Sequence, residues 1–250
     1  MPTLILPPRY TEDTNLVRKA AIARGWRVER LTSWRVPQKL TSNLKGCDPV
    51  LYGEPLFAAV VADELGLQLI EAPLNWLTTL PDSLLGRQVQ FMPLAEARKI
   101  GDRKFIKPAS DKCFVAQVYE SGTELPTDDI LPNDTPTLVS EPVVWEIEIR
   151  CFVQSRQVVT MSPYLRYGNL VQTEQGNWPA QEYELVQAAT FIKQVLNTDI
   201  DIPTATVIDI GIVEGFGWAV VEANAAWGSG IYGCDPHRVL SVVKSACVSN

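Results

Sequence analysis

Two carboxylates and an amide lie close together in a segment with the pattern of a β-hairpin. Residues 207–224 form two apolar runs around a Gly-Phe pair at 215–216, which predicts a two-residue type II′ turn. In that register Asp209 lies directly opposite Glu222, and Asn224 shares their face of the sheet. Opposed carboxylates repel each other unless one is protonated or a cation lies between them. Because Mg²⁺ prefers oxygen ligands of this kind, the pattern favours a magnesium site over a solvated hairpin with incidental acids.

The hairpin and the loop after it resemble part of a known family. An Asp on one strand, followed thirteen residues later by Glu-x-Asn, resembles the magnesium-binding hairpin of ATP-grasp enzymes. Residues 225–233, with the sequence AAWGSGIYG, resemble the small-residue loop that these enzymes use near the phosphates and the acceptor substrate. The resemblance implies ATP and Mg²⁺ as the cofactors, with Asp209, Glu222 and Asn224 as the metal ligands.

The resemblance also implies lysines that bind the phosphates. Phe105-Ile106-Lys107-Pro108 resembles the strand end that carries the first lysine, and residues 109–115, which include Lys112, take the place of the loop that covers the phosphates. This loop has no glycine, unlike the version common in the family, so more of the phosphate binding would depend on Lys112. Without the hairpin, each lysine would be interpreted as a solvated surface cation.

An adenine-binding linker and a ribose-binding strand are implied in the same way. Residues 137–144 resemble the linker, where the Glu141 carbonyl is predicted to accept and the Val143 N–H to donate, because Pro142 has no N–H. On the strand that follows, charged and apolar residues alternate, and Glu148 takes the position of the carboxylate that accepts the ribose hydroxyls. An ordinary solvent-facing strand gives the same alternation.

Two arginines complete the candidate site. Arg150, on the strand of Glu148, is expected to point towards the phosphates or the transferred group. An arginine on this strand together with Lys107 and Lys112 resembles one ATP-grasp clade in particular, the one named for its arginine and two lysines. Arg166 follows in a turn after the next hairpin, where it could bind a carboxylate or phosphate through two hydrogen bonds or form a surface salt bridge. Arg150, Arg166 and Lys112 are the predicted catalytic residues.

The elements that must position these residues follow from hydrophobic periodicity. Strands are predicted at 3–6 and 26–31 around a helix at 14–24. A further helix at 55–65 is predicted to turn Leu56, Ala59 and Val60 inward. Later helices are predicted at 181–196 and from Pro236, among short strands at 104–107, 114–119, 137–140, 144–153, 157–162, 205–213 and 217–223.

This order of elements predicts an α+β protein in two parts. A small α/β domain, residues 1–86, precedes an ATP-grasp domain, residues 87–250. The resemblance implies that two β-rich lobes clasp ATP: a lysine-bearing lobe at about 87–140 and a metal-binding lobe at about 141–250.

Composition excludes several other classes of function. The chain has a net charge of −7, which argues against a general nucleic-acid or membrane-surface binder. The five cysteines show no metal spacing, and the single histidine, His237, makes a triad or zinc site improbable. The opening residues do not have the charge and length of a signal peptide, and no apolar run reaches membrane-span length. We therefore expect a cytoplasmic protein with reduced thiols.

The function that the resemblance implies is an ATP- and Mg²⁺-dependent carboxylate–amine ligase that works through an acylphosphate. The acceptor is left open as an amino acid, a peptide or a small metabolite. A kinase on the same scaffold and a nucleotide-binding module without turnover are the alternatives. Neither a nucleic-acid nor a membrane partner is expected, and a homodimer is only the base-rate expectation for oligomeric state.

Overall fold

The computed structural model describes residues 1–38, 40, 48–110 and 112–249. The strands are β1 Pro2–Leu6, β2 Arg27–Arg30, β3 Asp48–Leu51, β4 Leu67–Leu69, β5 Val89–Pro93, β6 Lys104–Pro108, β7 Gln117–Tyr119, β8 Pro136–Ser140, β9 Trp145–Gln154, β10 Gln157–Arg166, β11 Asn169–Leu170, β12 Ala205–Val213, β13 Gly217–Asn224 and β14 Cys247–Ser249. The α-helices are α1 Glu12–Ala23, α2 Pro55–Leu65, α3 Asp82–Leu85, α4 Leu94–Ala97, α5 Glu182–Leu196 and α6 Pro236–Ser245, with 3₁₀ turns at Trp76–Thr79 and Gly122–Glu124.

The N-terminal elements form a parallel sheet in the order β2-β1-β3, flanked by α1 and α2. Helix α2 begins with Pro55 and ends at Gly66, whose φ of +63° stops the helix as predicted. The predicted inward face of α2 is wrong, because Leu56 and Val60 are 61% and 39% exposed and Ala59 is exposed as well. This helix is apolar nearly all round, so its own sequence does not specify which side is buried, and the inward side is Phe57, Ala58, Val61 and Ala62.

Two antiparallel sheets follow. The four-stranded sheet has the order β5-β8-β6-β7 and carries Lys107, while the five-stranded sheet has the order β11-β10-β9-β12-β13 and carries the acidic hairpin. Residues 141–144 connect β8 of the first sheet to β9 of the second. The predicted linker therefore lies where the chain passes from one sheet to the other.

One face of the five-stranded sheet is apolar, and the other has an apolar part and a polar part. Its apolar face, which includes Ile149 and Ile208, packs against α5 and the segment around Trp76. On the other face Phe152 and Val207 join the core of the N-terminal sheet, and polar residues occupy the remainder. Helix α6 belongs to the same core, and β14 pairs with β4. Packing therefore crosses the predicted boundary at residue 86 in both directions, and the division there remains a prediction.

Two composition-based expectations concern membranes and cysteines. Among the described residues no helix is both long and apolar enough to span a bilayer. Cys113, Cys151, Cys234 and Cys247 are free thiols, while Cys47 lies outside the described residues.

Candidate active site

The β12–β13 hairpin carries the predicted metal ligands, and its turn differs from the predicted one. The turn takes three residues, 214–216, so that Val213 pairs with Gly217, and the two-residue type II′ turn is a wrong prediction. The Phe216 N–H donates to the Val213 carbonyl at 3.1 Å, and Gly215 occupies the third position of that turn with a φ of +76°. Because a positive φ costs glycine little at this position, the turn can close at Val213, one residue before the predicted Glu214.

A β-bulge restores the predicted pairing of the acids. The register shifts between the Ile210–Val220 pair and the Asp209–Glu222 pair, which leaves Val221 as the extra residue. Without the bulge, Glu222 would face the apolar core under α5, because a one-residue slip turns side chains to the other face. The predicted opposition of Asp209 and Glu222 is confirmed, although the hairpin reaches it through two irregularities that offset each other.

Arg150 and Asp209 form a buried, bidentate ion pair. Arg150 donates from Nε to Oδ1 of Asp209 at 2.9 Å and from Nη2 to Oδ2 at 2.6 Å, and the two side chains are 8% and 0% exposed. Nη1 of Arg150 donates to the Gly230 carbonyl at 2.9 Å, which ties the guanidinium to the small-residue loop. The guanidinium also lies 5.2 Å from the ring centroid of Tyr164 and 4.7 Å from that of Tyr232, two rings that stack on each other. Four partners therefore fix the orientation of Arg150.

Glu222 lies beside this pair and is bound by Lys107 from the other sheet. The Lys107 ammonium donates to Oε2 of Glu222, and the Asn224 amide donates to Oε1 at 2.8 Å. The same amide group donates to Oδ2 of Asp209 at 3.2 Å, so Asn224 joins the two carboxylates, and its role as a metal ligand stays a prediction. Two acids and two bases thus form a charge-balanced network, and the Lys107–Glu222 pair connects the two antiparallel sheets.

Burial and ion pairing act in opposite directions on the pKa values of this network. Burial raises the pKa of Glu222, but the charge of Lys107 and the hydrogen bonds from Asn224 and Lys107 outweigh it and lower the pKa to about 2. Burial lowers the pKa of Arg150, and the facing Asp209 carboxylate more than compensates, so the pKa of Arg150 is raised. Glu222 and Arg150 are therefore both charged at neutral pH.

Glu148 and the linker lie next to this network. Glu148 is buried on β9, accepts a hydrogen bond from the Tyr164 hydroxyl at 2.7 Å, and has a pKa that burial raises. In the linker Glu141 is exposed and Val143 half-buried, and the Glu141 carboxylate accepts from the Gln88 N–H at 3.0 Å. The structure thus brings Glu148 close to Arg150 and leaves the linker between the sheets.

Two predicted catalytic residues are not part of the network. Lys112 is exposed on its loop, and the neighbouring Asp111 lies outside the described residues. Arg166 donates to Glu184 of α5 at 2.5 Å, with side-chain exposures of 38% and 7%. The salt bridge foreseen as the alternative for Arg166 is therefore formed, and catalytic roles for Lys112 and Arg166 stay predictions.

Sequence reasoning missed the contribution of the residues before the predicted boundary at residue 86. The Tyr52 hydroxyl donates to the Ser229 carbonyl at 2.8 Å, and the Trp227 indole N–H donates to the Ile70 carbonyl at 3.1 Å, so this part of the chain holds the small-residue loop. A cavity of ≈ 140 Å³ lies between them, and its lining includes Arg9 and Asp13. The segment after β1, which includes Arg9 and Asp13, carries no motif that predicts its position beside the small-residue loop.

The polar face suits a magnesium ion in its chemistry. No group of three or more His, Cys, Asp or Glu side chains in the described part of the chain forms a metal site. Two carboxylates and one amide oxygen nevertheless match the usual protein share of a Mg²⁺ site, in which substrate phosphates and water supply the other ligands. Asn224 directs its NH₂ group at the acids, and a half-turn of the amide brings its oxygen to the same place.

Solved structures that resemble this chain include ATP-grasp proteins. A RimK domain protein ATP-grasp from Sphaerobacter thermophilus matches 97% of this chain and 99% of its own, at 14% identity and a TM-score of 0.51. N5-carboxyaminoimidazole synthetase from Staphylococcus aureus has a TM-score of 0.56 at 12% identity, over 98% of this chain and 77% of its own. The ATP-grasp ligase PsnB in complex with minimal precursor has a TM-score of 0.50 at 13% identity, over 98% of each chain. At such identities the likeness establishes the fold, and the predicted fold class is confirmed.

The family itself follows from the sequence. No curated protein sequence matches the chain. The model for family 2 of the ATP-grasp clade named for its arginine and two lysines matches residues 84–242, which include every predicted site residue from Lys107 to Asn224. The chain belongs to this clade of ATP-grasp domains, and the predicted superfamily and clade are both confirmed.

Proposed function

We propose that the protein is an ATP- and Mg²⁺-dependent ligase that joins a carboxylate to an amine through an acylphosphate. The observation that carries this proposal is the contact between lobes, in which Lys107 of the four-stranded sheet reaches Glu222 of the five-stranded sheet beside the Arg150–Asp209 pair. The oxygen atoms proposed to bind a divalent cation and two of the side chains proposed to bind phosphates therefore lie together at this contact. Solved ligases such as PsnB share this fold.

The residues have the following roles in the proposal. The backbone of Glu141 and Val143 binds adenine, and Glu148 accepts the ribose hydroxyls. Lys107 and Lys112 neutralise the phosphates. The carboxylates and amide of the hairpin hold Mg²⁺, with Asp209, Glu222 and Asn224 as the ligands. Bound Mg²⁺ would polarise phosphate oxygens and offset the charge that develops during transfer.

The reaction has two steps. A carboxylate oxygen of the substrate attacks the γ-phosphorus, the bond between that phosphorus and the bridging oxygen breaks, and ADP leaves with the bond's electron pair. The amine then attacks the acyl carbon, the carbon–oxygen bond to phosphate breaks, and the amine loses a proton. In this proposal the remaining N–H groups of Arg150, whose guanidinium is fixed by Asp209 and two tyrosine rings, stabilise the charge of the transferred group. Such chemistry depends on positioning and electrostatics more than on a general base. Arg166 is proposed to bind a carboxylate or phosphate on the acceptor side of the site.

Nucleotide binding tests the proposal. ATP is titrated by calorimetry with and without Mg²⁺ into the parent protein and the Asp209→Asn/Glu222→Gln double variant. Magnesium-dependent binding that the variant loses supports the site. The matched control is Asp102→Asn/Glu120→Gln, which removes the same charge from acids that are 71% and 74% exposed. Absence of nucleotide binding to the parent protein would refute the proposal.

Product analysis then distinguishes the ligase from its alternatives. ADP release that requires both a carboxylate and an amine, with an amide as product, supports the ligase. A stable phosphorylated acceptor without amide indicates a kinase, and binding without turnover indicates a nucleotide-binding module. Candidate acceptors include amino acids, peptides and small metabolites. We propose that the protein is cytoplasmic. Sedimentation would measure whether it forms a homodimer.

A further inference from the structure

The β-bulge at Val221 has a hydrogen-bond partner outside its sheet. Arg87, between α3 and β5, donates from Nη1 to the Val220 carbonyl and from Nη2 to the Val221 carbonyl, both at 2.9 Å. Nη1 also donates to the Leu85 carbonyl at 2.8 Å. One guanidinium thus binds the two carbonyls at the bulge and is tied to its own segment.

These two carbonyls can share a partner only because of the bulge. Consecutive carbonyls of a regular strand point to opposite sides, so a single guanidinium does not reach both. A bulge disrupts this alternation and leaves groups without ladder partners. Because β13 is the edge strand of its sheet, no further strand among the described residues is available to bind them. A planar guanidinium fork can donate to two carbonyls at once, whereas a lysine ammonium is a point donor on a flexible stem.

An aromatic contact and a glycine in the preceding position place Arg87 against the hairpin. Its guanidinium lies 5.0 Å from the centroid of the Trp145 ring. The preceding Gly86 has a φ of +63°, and a Cβ there would lie 2.8 Å from the Phe216 ring. Glycine therefore allows this segment to approach the hairpin closely enough for Arg87 to reach the bulge.

We propose that Arg87 is a positioning residue for Glu222. By holding the bulge, Arg87 keeps the Glu222 side chain on the polar face opposite Asp209, where it can bind a divalent cation. The inference rests on the proposed function, because it concerns the site at which that cation would bind. The adjoining Gln88 N–H donates to the Glu141 carboxylate at 3.0 Å, so the same segment also holds the start of the linker.

A second arginine of similar bonding provides the matched control. Arg156 donates to the carbonyls of Leu196, the last residue of α5, and of Thr198 and Ile200 beyond it. It binds backbone carbonyls as Arg87 does, yet none of them belongs to the acidic hairpin. Arg156→Lys therefore reports the cost of losing a structural guanidinium without disturbing Glu222.

The experiment compares Arg87→Lys with Arg156→Lys by two measurements. Hydrogen exchange reports the amides of β13, and electron paramagnetic resonance gives the dissociation constant of Mn²⁺ in the presence of ADP. We expect R87K to speed exchange at Val221 and Glu222 and to weaken Mn²⁺ binding by about 10–100-fold, the usual effect of losing a partner that orients a metal ligand. R156K is expected to leave both quantities unchanged. In the Glu222→Gln background, R87K should weaken Mn²⁺ binding no further.

Three results would overturn the inference. In the first, R87K binds Mn²⁺ as tightly as the parent protein does. In the second, R156K weakens Mn²⁺ binding as much as R87K does, and in the third, R87K weakens Mn²⁺ binding in the E222Q background by as much as it does in the parent protein. Should R87K fail to fold, Arg87→Gln, which keeps one side-chain donor group, is measured with the same expectations. A parent protein that binds no Mn²⁺ with ADP refutes the proposed function instead, and the exchange comparison then tests the bulge by itself.

Discussion

The Arg150–Asp209 pair gives a prediction whose magnitude follows from its burial. Asp209→Asn keeps the shape of the side chain but leaves the Arg150 guanidinium, 8% exposed, without a counter-charge. Removing one partner of a buried ion pair costs about 3–5 kcal/mol. That loss is a large fraction of the roughly 5–15 kcal/mol by which a protein is stable. It would lower the melting temperature of a chain of this length by about 10 °C.

A double-mutant cycle with Arg150→Met tests whether this loss comes from the pair. In urea unfolding, each single variant should lose about 3–5 kcal/mol of unfolding free energy. The double variant should lose clearly less than the sum of the two, because it leaves no unpaired charge.

The loss of unfolding free energy in Arg150→Met should be larger at pH 8 than at pH 5. Without Arg150, burial raises the pKa of Asp209 further, so this acid opposes folding increasingly as pH rises towards its raised pKa.

The control for the cycle is Asp102→Asn, which breaks a contact with Lys104 at an acid that is 71% exposed and should leave the unfolding free energy nearly unchanged. Losses below about 1 kcal/mol for Asp209→Asn, or additive losses in the double variant, would refute the reasoning from a buried, coupled pair.

Three further predictions concern single side chains. Gly211→Ala should lower the unfolding free energy by about 1–3 kcal/mol, because its Cβ would lie 2.4 Å from the Ile147 carbonyl oxygen; urea unfolding measures this. The low pKa of Glu222 beside Lys107 stabilises the fold above the unfolded pKa of 4.5, and this contribution is lost as pH falls towards about 2. The destabilisation by Glu222→Gln at pH 6 should therefore shrink at pH 3. Arg166→Met should reduce turnover in steady-state kinetics well beyond its small effect on stability, if the proposed acceptor role is right.

Each of these has a control or a contrary outcome. Gly101→Ala adds a Cβ with nothing within 4 Å and should be nearly neutral; if both alanine variants were equally stable, the steric argument at Gly211 would fail. A pH-independent effect of Glu222→Gln would contradict the depressed pKa. Unchanged turnover in Arg166→Met would leave this arginine with its salt bridge to Glu184 alone.

The sequence predicted features that depend on local chemistry. Helix limits at Pro55 and Gly66, the start of α6 at Pro236 and the β12 strand at 205–213 follow from residues whose backbone preferences act at short range. The opposition of Asp209 to Glu222 follows from a two-residue turn that does not form, and it holds because the bulge at Val221 offsets the one-residue difference in the turn. The bulge at Val221 could not be predicted, since its partner Arg87 is far away in sequence.

Contacts between distant segments account for the rest. The pairing of β14 with β4 and the contact of Lys107 with Glu222 join residues more than a hundred positions apart. No local periodicity specifies such partners. The inward face of α2 was mispredicted for a related reason: where a helix is apolar on all sides, its neighbours decide which side is buried.

The shared core has a consequence for how this protein can be taken apart. Phe152 and Val207 of the five-stranded sheet are completely buried among residues of the N-terminal domain, and β14 at the far end of the chain pairs with β4. Deleting the first 86 residues would bare this apolar surface and remove the supports of the small-residue loop. The N-terminal part therefore cannot be exchanged freely for the corresponding part of a relative. In such a chimera the new part would have to pack against the surface around Phe152 as closely as the two halves of a single core pack together.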